Sequence, residues 1–479
     1  MRLIALILVP LLGALIASGR VLTARRRVTC LLAAAVVHLA LTASLWLVPA
    51  EPVLGGWLAG DPLGLVVLSL VSVLFLALAA YSVGYLQVEN PRGGRLFVSC
   101  LMGFLAAASL VVLSHQMGLM WVGLEATTLS MAPLIFHRHD RRSLEAVWKY
   151  LVISSVGIAL ALLGMFFLAT AQVGGGTSGP LMVLEDLVSQ APAMSPAWLK
   201  AAFIFLLVGF GTKMGLAPMH TWKPDTYGEA PPLVGALMAG ALTSCAFLGI
   251  ARIVQITTSA GLADFIRPLL IGFGLLSLLV AAVFIVAQSD IKRLLAYSSV
   301  EHMGLLVLKL GVGGVGAYGT MLHLINNGLA KGLLFLAVGN VVLATGTSHA
   351  PRIHGILRSR PVSGVLLVAG LFAVTGSPPF GLFLSEFTIL SGAVRGGHPW
   401  VAAAMLLLLA VIFIGMASVI LEVAYGESDP ALPRVRESAW LTGGPLALAA
   451  GVLLLGLYIP PALHSLLARA AASLGGGAP

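Results

Sequence analysis

The chain has 479 residues, of which 59% are hydrophobic and only 9% charged. That balance excludes a water-soluble protein and indicates a polytopic helical membrane protein, since one bilayer crossing takes about 20 apolar residues. The net charge of +9 is not a nucleic-acid signature, because the basic residues follow the membrane topology instead of forming one patch.

Apolar runs near 2–18, 28–48, 60–86, 94–113, 116–136, 144–170 and 199–221 predict seven spans. Runs near 231–255, 262–287, 293–311, 316–344, 361–392, 399–425 and 440–466 predict seven more, in a single membrane domain, 1–479. Loops after odd-numbered spans carry Arg20, Arg25, Arg26, Arg27, Arg92, Arg95, Arg138, Arg141, Arg142, Lys223, Lys292 and Arg293. Arg352, Arg358, Arg360, Arg434 and Arg436 continue the pattern, whereas the other side has few basic residues, Lys200 and Arg395 being the clearest. Basic loops stay inside, so both termini are expected outside a plasma membrane. Cys30, Cys100 and Cys245 sit in apolar runs without disulfide or metal spacing. The run Met1–Ser18 lacks a clear small-residue cleavage site and reads as span one, not a leader.

Spans one to three hold almost no titratable residue and read as lipid-facing scaffold or subunit contact. Span five, with WVGLEATTLSMAPLIF, places Glu125 near its middle and Thr128 one turn on, on the same face. A carboxylate at this depth must be paired or protonated, and Lys213 offers the opposite charge. His137–Arg142 reads as a solvated turn, and Glu145 with Lys149 as an i,i+4 ion pair at a helix end. Ala171–Pro196 is the longest outside connection.

The most informative stretch is Phe210–Pro232, FGTKMGLAPMHTWKPDTYGEAPP. Lys213 lies inside the apolar run of span seven, and Pro218 removes the N–H that would bond the Met214 carbonyl. A broken helix with orphan carbonyls beside a lysine reads as a station on an ion path. The plainer alternative is a lysine that snorkels to the headgroups.

Span eight offers only Thr243, Ser244 and Cys245. In span ten, Tyr297 and Glu301 are i,i+4, as are Ser298 and His302, with Lys309 two turns past Glu301. Glu301 and His302 read either as a proton-uptake mouth or as an ordinary interfacial cap. In span eleven His323, Asn327 and Lys331 recur every four residues as one polar stripe. Span twelve breaks at Pro378–Pro379, which predicts orphan carbonyls at Val374 and Thr375, and Glu386 follows two turns later. Breaks five spans apart fit two five-helix repeats of opposite topology. The expected divisions are peripheral helices at 1–90, repeats at 94–255 and 262–427, and a final helix at 440–466. His354, His398 and His464 carry no site signal, and no cofactor or metal spacing is present.

WKPD following KMGLAPMHTW, with LAYSSVEHMG, HLINNGLAKGLLFL and GSPPFGLFLSEF, resembles the antiporter-like proton-conducting subunits of respiratory Complex I, membrane-bound hydrogenases and multisubunit cation/proton antiporters. The resemblance covers about residues 60–430, and SSVEHMG is most similar to hydrogenase-4 component F and relatives in formate hydrogenlyase-type complexes. It implies an all-α fold of fourteen transmembrane helices with two inverted repeats, broken at helices seven and twelve. It implies a proton relay through Glu125, Lys213, His323, Lys331 and Glu386, with His302 on a position that varies within the family. The implied partners are other membrane subunits and a peripheral redox arm of iron–sulfur or nickel–iron type, with no cofactor on this chain. Many relatives carry a Lys or His on helix eight, where GALMAGALTSCAF stands here. The link from Lys213 to Lys331 is then expected through water held by Thr243 or Ser244, or directly to His323. No long lateral helix of the kind some relatives append is expected after span fourteen. The competing expectations are a sodium/proton antiporter subunit, which would gather carboxylate and carbonyl oxygens at one site, and a structural subunit with a vestigial channel.

Overall fold

The computed structural model describes residues 1–20, 22–89, 94–174, 182–313, 316–427 and 437–475. Arg92, Arg434 and Arg436 lie outside the described residues. The first six helices are α1 (Arg2–Ser18), α2 (Ala24–Leu47), α3 (Pro62–Val88), α4 (Gly94–Leu113), α5 (Met117–Ile135) and α6 (Arg141–Gly174). After them come α7 (Leu184–Gln190), α8 (Pro196–Met214), α9 (Trp222–Glu229) and α10 (Pro232–Leu237), then a π turn (Met238–Leu242) leading into α11 (Thr243–Ser259). The second half holds α12 (Ala263–Val286), α13 (Ile291–Val312), α14 (Gly316–Thr345), α15 (Ile356–Ser359) and α16 (Pro361–Val374). It closes with α17 (Gly381–Arg395), α18 (Pro399–Tyr425), α19 (Ala439–Leu457) and α20 (Pro461–Ala472).

Among the described residues eleven helices are long and apolar enough to cross a membrane. The other three expected spans fall short for visible reasons. Helix α1 has 17 residues, α13 is diluted by Lys292, Arg293, Glu301 and Lys309, and span twelve is cut into α16 and α17. The last expected span is also divided: α19 ends at Leu457, and Pro460 and Pro461 turn the chain into α20, which packs on α3 and α14.

Helix starts carry their own signals. Thr23 accepts from the Arg26 N–H to cap α2, Asp61 accepts from Gly64 at 3.1 Å to cap α3, and Asp290 accepts from Arg293 at 2.9 Å to cap α13. Lipid supplies no hydrophobic drive between helices, so small residues decide the close pairs. Gly157 of α6 seats on Thr212 of α8, and Gly304 of α13 seats on Ser277 of α12. The centre is formed by the unit from α10 to α11, which is buried throughout, with α13 and α14 beside it. Helix α3 is not the lipid-facing scaffold expected: most of it is buried against α2, α14 and α19. The N-terminal helices also enclose His38, whose ring nitrogens meet Ser109 Oγ at 2.7 Å and Ser72 Oγ at 3.0 Å.

Two charged clusters tie the ends. At one end Arg252 of α11, fully buried, makes a bidentate contact with Asp61 at 2.8 and 2.6 Å, while His115 lies 3.4 Å from Asp61 and 2.5 Å from Glu185 of α7. At the arginine-rich end Lys149 pairs with Glu145 as expected and also with Asp225 of α9, both at 2.7 Å. Arg293 joins the same carboxylate at 2.8 Å, so α6, α9 and α13 meet there.

Candidate functional site

Both breaks follow one construction. Helix α8 ends at Met214 and Gly215 turns with φ +78°; α16 ends at Val374 and Gly376 turns with φ +63°. Positive φ is the conformation glycine accepts at no steric cost. Carbonyls in the last turn before each break are taken up by the turning chain itself. Gly211 accepts from Gly215 and Leu216 at 2.8 and 2.9 Å, and Thr212 accepts from the Trp222 indole at 2.9 Å. In the second break Leu371 accepts from Thr375 and Phe372 from Ser377, both at 3.0 Å, while the Val374 carbonyl faces His302. A buried backbone group costs free energy until it is bonded, and the chain satisfies these itself.

The first half of the site is sparse. Lys213 is fully buried at the end of α8, and its Nζ donates to Thr128 Oγ1 and, at 3.2 Å, to the Tyr150 hydroxyl of α6. Glu125 is half-buried and accepts from Thr128 at 3.3 Å. Glu125 and Lys213 thus share Thr128 as a bridge and form no direct ion pair among the described residues. One hydroxyl between two charges is a path along which a proton can be passed.

The second half is dense. Lys331 of α14 donates to Ser298 Oγ at 2.6 Å, and Ser298 donates to Glu301 at 3.1 Å. One turn along, His302 Nδ1 lies 3.2 Å from His323 Nε2, and His323 Nδ1 lies 2.9 Å from Ser385 Oγ of α17. Lys309 donates to the Ser385 carbonyl at 3.2 Å. Glu386 joins this cluster: one atom each of His302, His323 and Glu386 falls within 4.8 Å of the others. His302 Nε2 and Glu386 Oε1 have no hydrogen-bond partner there. These three side chains could converge on a cation, though Lys309 and Lys331 bring positive charge to the same place. Glu301 and His302 are 2% and 0% exposed, inside the network. Asn327, third member of the stripe, is buried with its Oδ1 unbonded.

Sequence reasoning missed the residue that lies between the halves. The sequence pattern places Lys223 among the loop charges, and in the structure it is fully buried. Its side chain lies against Gly215, where a Cβ would meet Lys223 Cε, and its Nζ donates to Ser299 Oγ at 3.1 Å. Ser298 and Ser299 are consecutive in α13, so one helical turn holds the ammonium groups of Lys331 and Lys223. Thr243 and Ser244, expected to hold water, donate back to the Ala239 and Gly240 carbonyls at 2.7 and 2.5 Å. A signal for Lys223 was available: in WKPD it stands two residues before Asp225, and two residues on a helix face nearly opposite ways.

Residues 114–412 match the family described as NADH:quinone oxidoreductase/Mrp antiporter, TM. The chain is 33% identical over 467 residues to a hydrogenase-4 component F homolog of Methylacidiphilum infernorum, covering 95% of this chain and 96% of that one. It is 32% identical over 376 residues to NADH-quinone oxidoreductase subunit N of Desulforudis audaxviator, covering 77% and 73%. Among solved structures, a chain of the archaeal membrane-bound sulfane sulfur reductase superposes with a TM-score of 0.87 at 21% identity, covering 98% of this chain and 97% of that one. A chain of respiratory complex I from Thermus thermophilus superposes with a TM-score of 0.79 at 26% identity, covering 98% and 100%. These relatives are membrane subunits of hydrogenase and complex I type assemblies. By the family match and by similarity along nearly its whole length, the chain belongs to the NADH:quinone oxidoreductase/Mrp antiporter transmembrane family.

Proposed function

We propose that this chain translocates protons through a buried relay, driven by electron transfer in partner subunits of a redox complex. The relay runs from Glu125 through Thr128 to Lys213, crosses at Lys223, and continues through Lys331, Glu301, His302 and His323 to Glu386. The observation that carries this reading is the pair of neighbouring serines, Ser298 and Ser299, each accepting from a different buried lysine. Hydroxyls both accept and donate, so they can pass a proton between two amines with little movement. Moving Glu125 towards or away from Lys213 would make that lysine hold or release its proton. Lys223 supplies the base that span eight lacks. On this reading α4–α11 and α12–α18 act as the two inverted half-channels.

We further propose a plasma-membrane setting with both termini outside, and a peripheral redox arm of iron–sulfur or nickel–iron type as the energy source. Sodium exchange is the rival, with His302, His323 and Glu386 as its binding group. The test is proton uptake by the purified complex in liposomes, with and without sodium, for wild type and Lys223→Met. Proton movement independent of sodium, lost in Lys223→Met while electron transfer and assembly persist, is the expected result. Wild-type proton movement in Lys223→Met would remove the proposed crossing, and an absolute sodium requirement would favour the rival.

A further inference from the structure

Away from the relay, a cleft of about 870 Å³ opens at the arginine-rich end, between the starts of α2, α4 and α19 and the end of α3. Its volume lies within the roughly 300–1,000 Å³ of small-ligand sites. Three guanidinium side chains line it, those of Arg25, Arg27 and Arg95. Arg27 is anchored by bonds from Nε to the Ala17 carbonyl at 3.1 Å and from Nη2 to the Gly19 carbonyl at 3.0 Å. Arg25 and Arg95 are exposed, and among the described residues no carboxylate pairs with either. The nearby carboxylate, Glu89, is turned aside to the Tyr85 hydroxyl at 2.9 Å and to His137 at 3.7 Å. The N-termini of α2 and α4 both open on the cleft, adding partial positive charge.

The rest of the lining is apolar. Val28, Leu32, Val83 and Val98 form its floor, and Trp440, 47% exposed, stands at its edge. Arg25, Thr29, Leu32 and Val36 follow at helical spacing on one face of α2, and Val36 is 54% exposed. That face descends about 16 Å from the arginine to Val36. A free phosphate would use only the upper end of such a surface. A molecule with an anionic head and a long apolar tail would use all of it, and basic pockets between helix ends suit such headgroups.

We propose that this cleft binds one anionic phospholipid, with its phosphodiester between Arg25 and Arg95 and an acyl chain laid along Leu32 and Val36. The test is native mass spectrometry of the full chain in detergent, titrated with phosphatidylglycerol, with phosphatidylcholine or with inorganic phosphate. Wild type should hold one phosphatidylglycerol in preference to phosphatidylcholine, and millimolar phosphate should not displace it. Arg25→Gln with Arg95→Gln should weaken that adduct roughly thirtyfold, about fivefold per arginine. Arg26→Gln removes the same charge one residue away, outside the cleft, and should leave the adduct intact. Arg25→Lys with Arg95→Lys keeps the charge and should retain most of the preference. If the double glutamine variant does not stay monodisperse, Arg95→Gln alone should show the fivefold loss. Unchanged phosphatidylglycerol binding in these variants, equal binding of phosphatidylcholine, or displacement by phosphate would each overturn the assignment.

Discussion

The two halves of the buried site are built to different densities. Among the described residues Lys213 is bonded to two hydroxyls, those of Thr128 and Tyr150, and Thr128 in turn to the half-buried Glu125. Around Lys331 there are two glutamates, two histidines and a second lysine, joined through Ser298 and Ser385. A sparse group has one way to pass a proton, whereas a dense one has several. The first half therefore resembles a gate, and the second a reservoir with branches. Substitutions in the two halves should fail in different ways.

The largest effect is expected where the dense half has a single member without a substitute. Lys331 is bonded to Ser298, which is bonded in turn to Glu301 and adjoins the Ser299 that holds Lys223. Lys331→Ala should reduce proton translocation by the assembled complex to background, a loss of about 10²-fold or more. Glu386 is only half-buried and shares its cluster with His302 and His323, so Glu386→Gln should impair translocation several-fold without stopping it. Proton uptake in liposomes, with assembly checked by size exclusion, measures both. Equal loss in the two variants would erase the branched picture of this half.

In the sparse half the expectation is non-additivity. Glu125→Gln and Lys213→Met should each stop translocation, because both act on the one bridge through Thr128. Glu125→Gln leaves the fully buried Lys213 ammonium without the opposite charge one hydroxyl away, so that single variant should also melt lower than wild type. The double variant Glu125→Gln, Lys213→Met should recover part of that stability while staying inactive. Two small, additive losses of activity would mean that Glu125 and Lys213 work separately.

The difference between halves also explains what the sequence allowed to be read. Lys213, His323, Lys331 and Glu386 stood out because each interrupts an apolar run, where a charge is costly. The two breaks were legible from Pro218 and Pro378–Pro379, since proline cannot continue the backbone ladder. The fate of the freed carbonyls was not legible, because Trp222 reaches Thr212 only once the chain has turned at Gly215. Lys223 was hidden by its company: Trp222, Pro224 and Asp225 read as a loop, and only tertiary packing turns the lysine inward while Asp225 faces Lys149 and Arg293. Glu301 and His302 stand out by their i,i+4 partners, but position along a span does not say what covers a residue. Arg252 and Asp61, 191 residues apart, carried no sequence sign of pairing.

The smallest expected effect lies outside the relay, at the cluster of Asp61, His115, Glu185 and Arg252, and it serves as a control on the comparison. Burial by itself would lower the His115 pKa, but its bonds to Asp61 and Glu185 outweigh burial and the Arg252 charge, so it is raised. Its contribution is therefore complete below the unfolded value of about 6.5 and is lost as pH rises through the raised value. Glu185 is shifted the opposite way by its bond to His115, so its contribution is present above about 4.3 and is lost as pH falls through its lowered value. The cluster should hold α7 most firmly between about pH 4.3 and 6.5. Glu185 is 61% exposed, which solvent screening limits to a surface-pair effect of about 1 kcal/mol at most. Hydrogen exchange of Leu184–Gln190, corrected for intrinsic rates, should show at most about fivefold more opening at pH 9 than at pH 6. His115→Gln should flatten that dependence, and translocation at fixed pH should be unchanged because, among the described residues, no relay residue is bonded to the cluster. A loss of translocation in His115→Gln would show that this end is coupled to the gate at Lys213, and the division into a relay and an outlying clasp would then have to be redrawn.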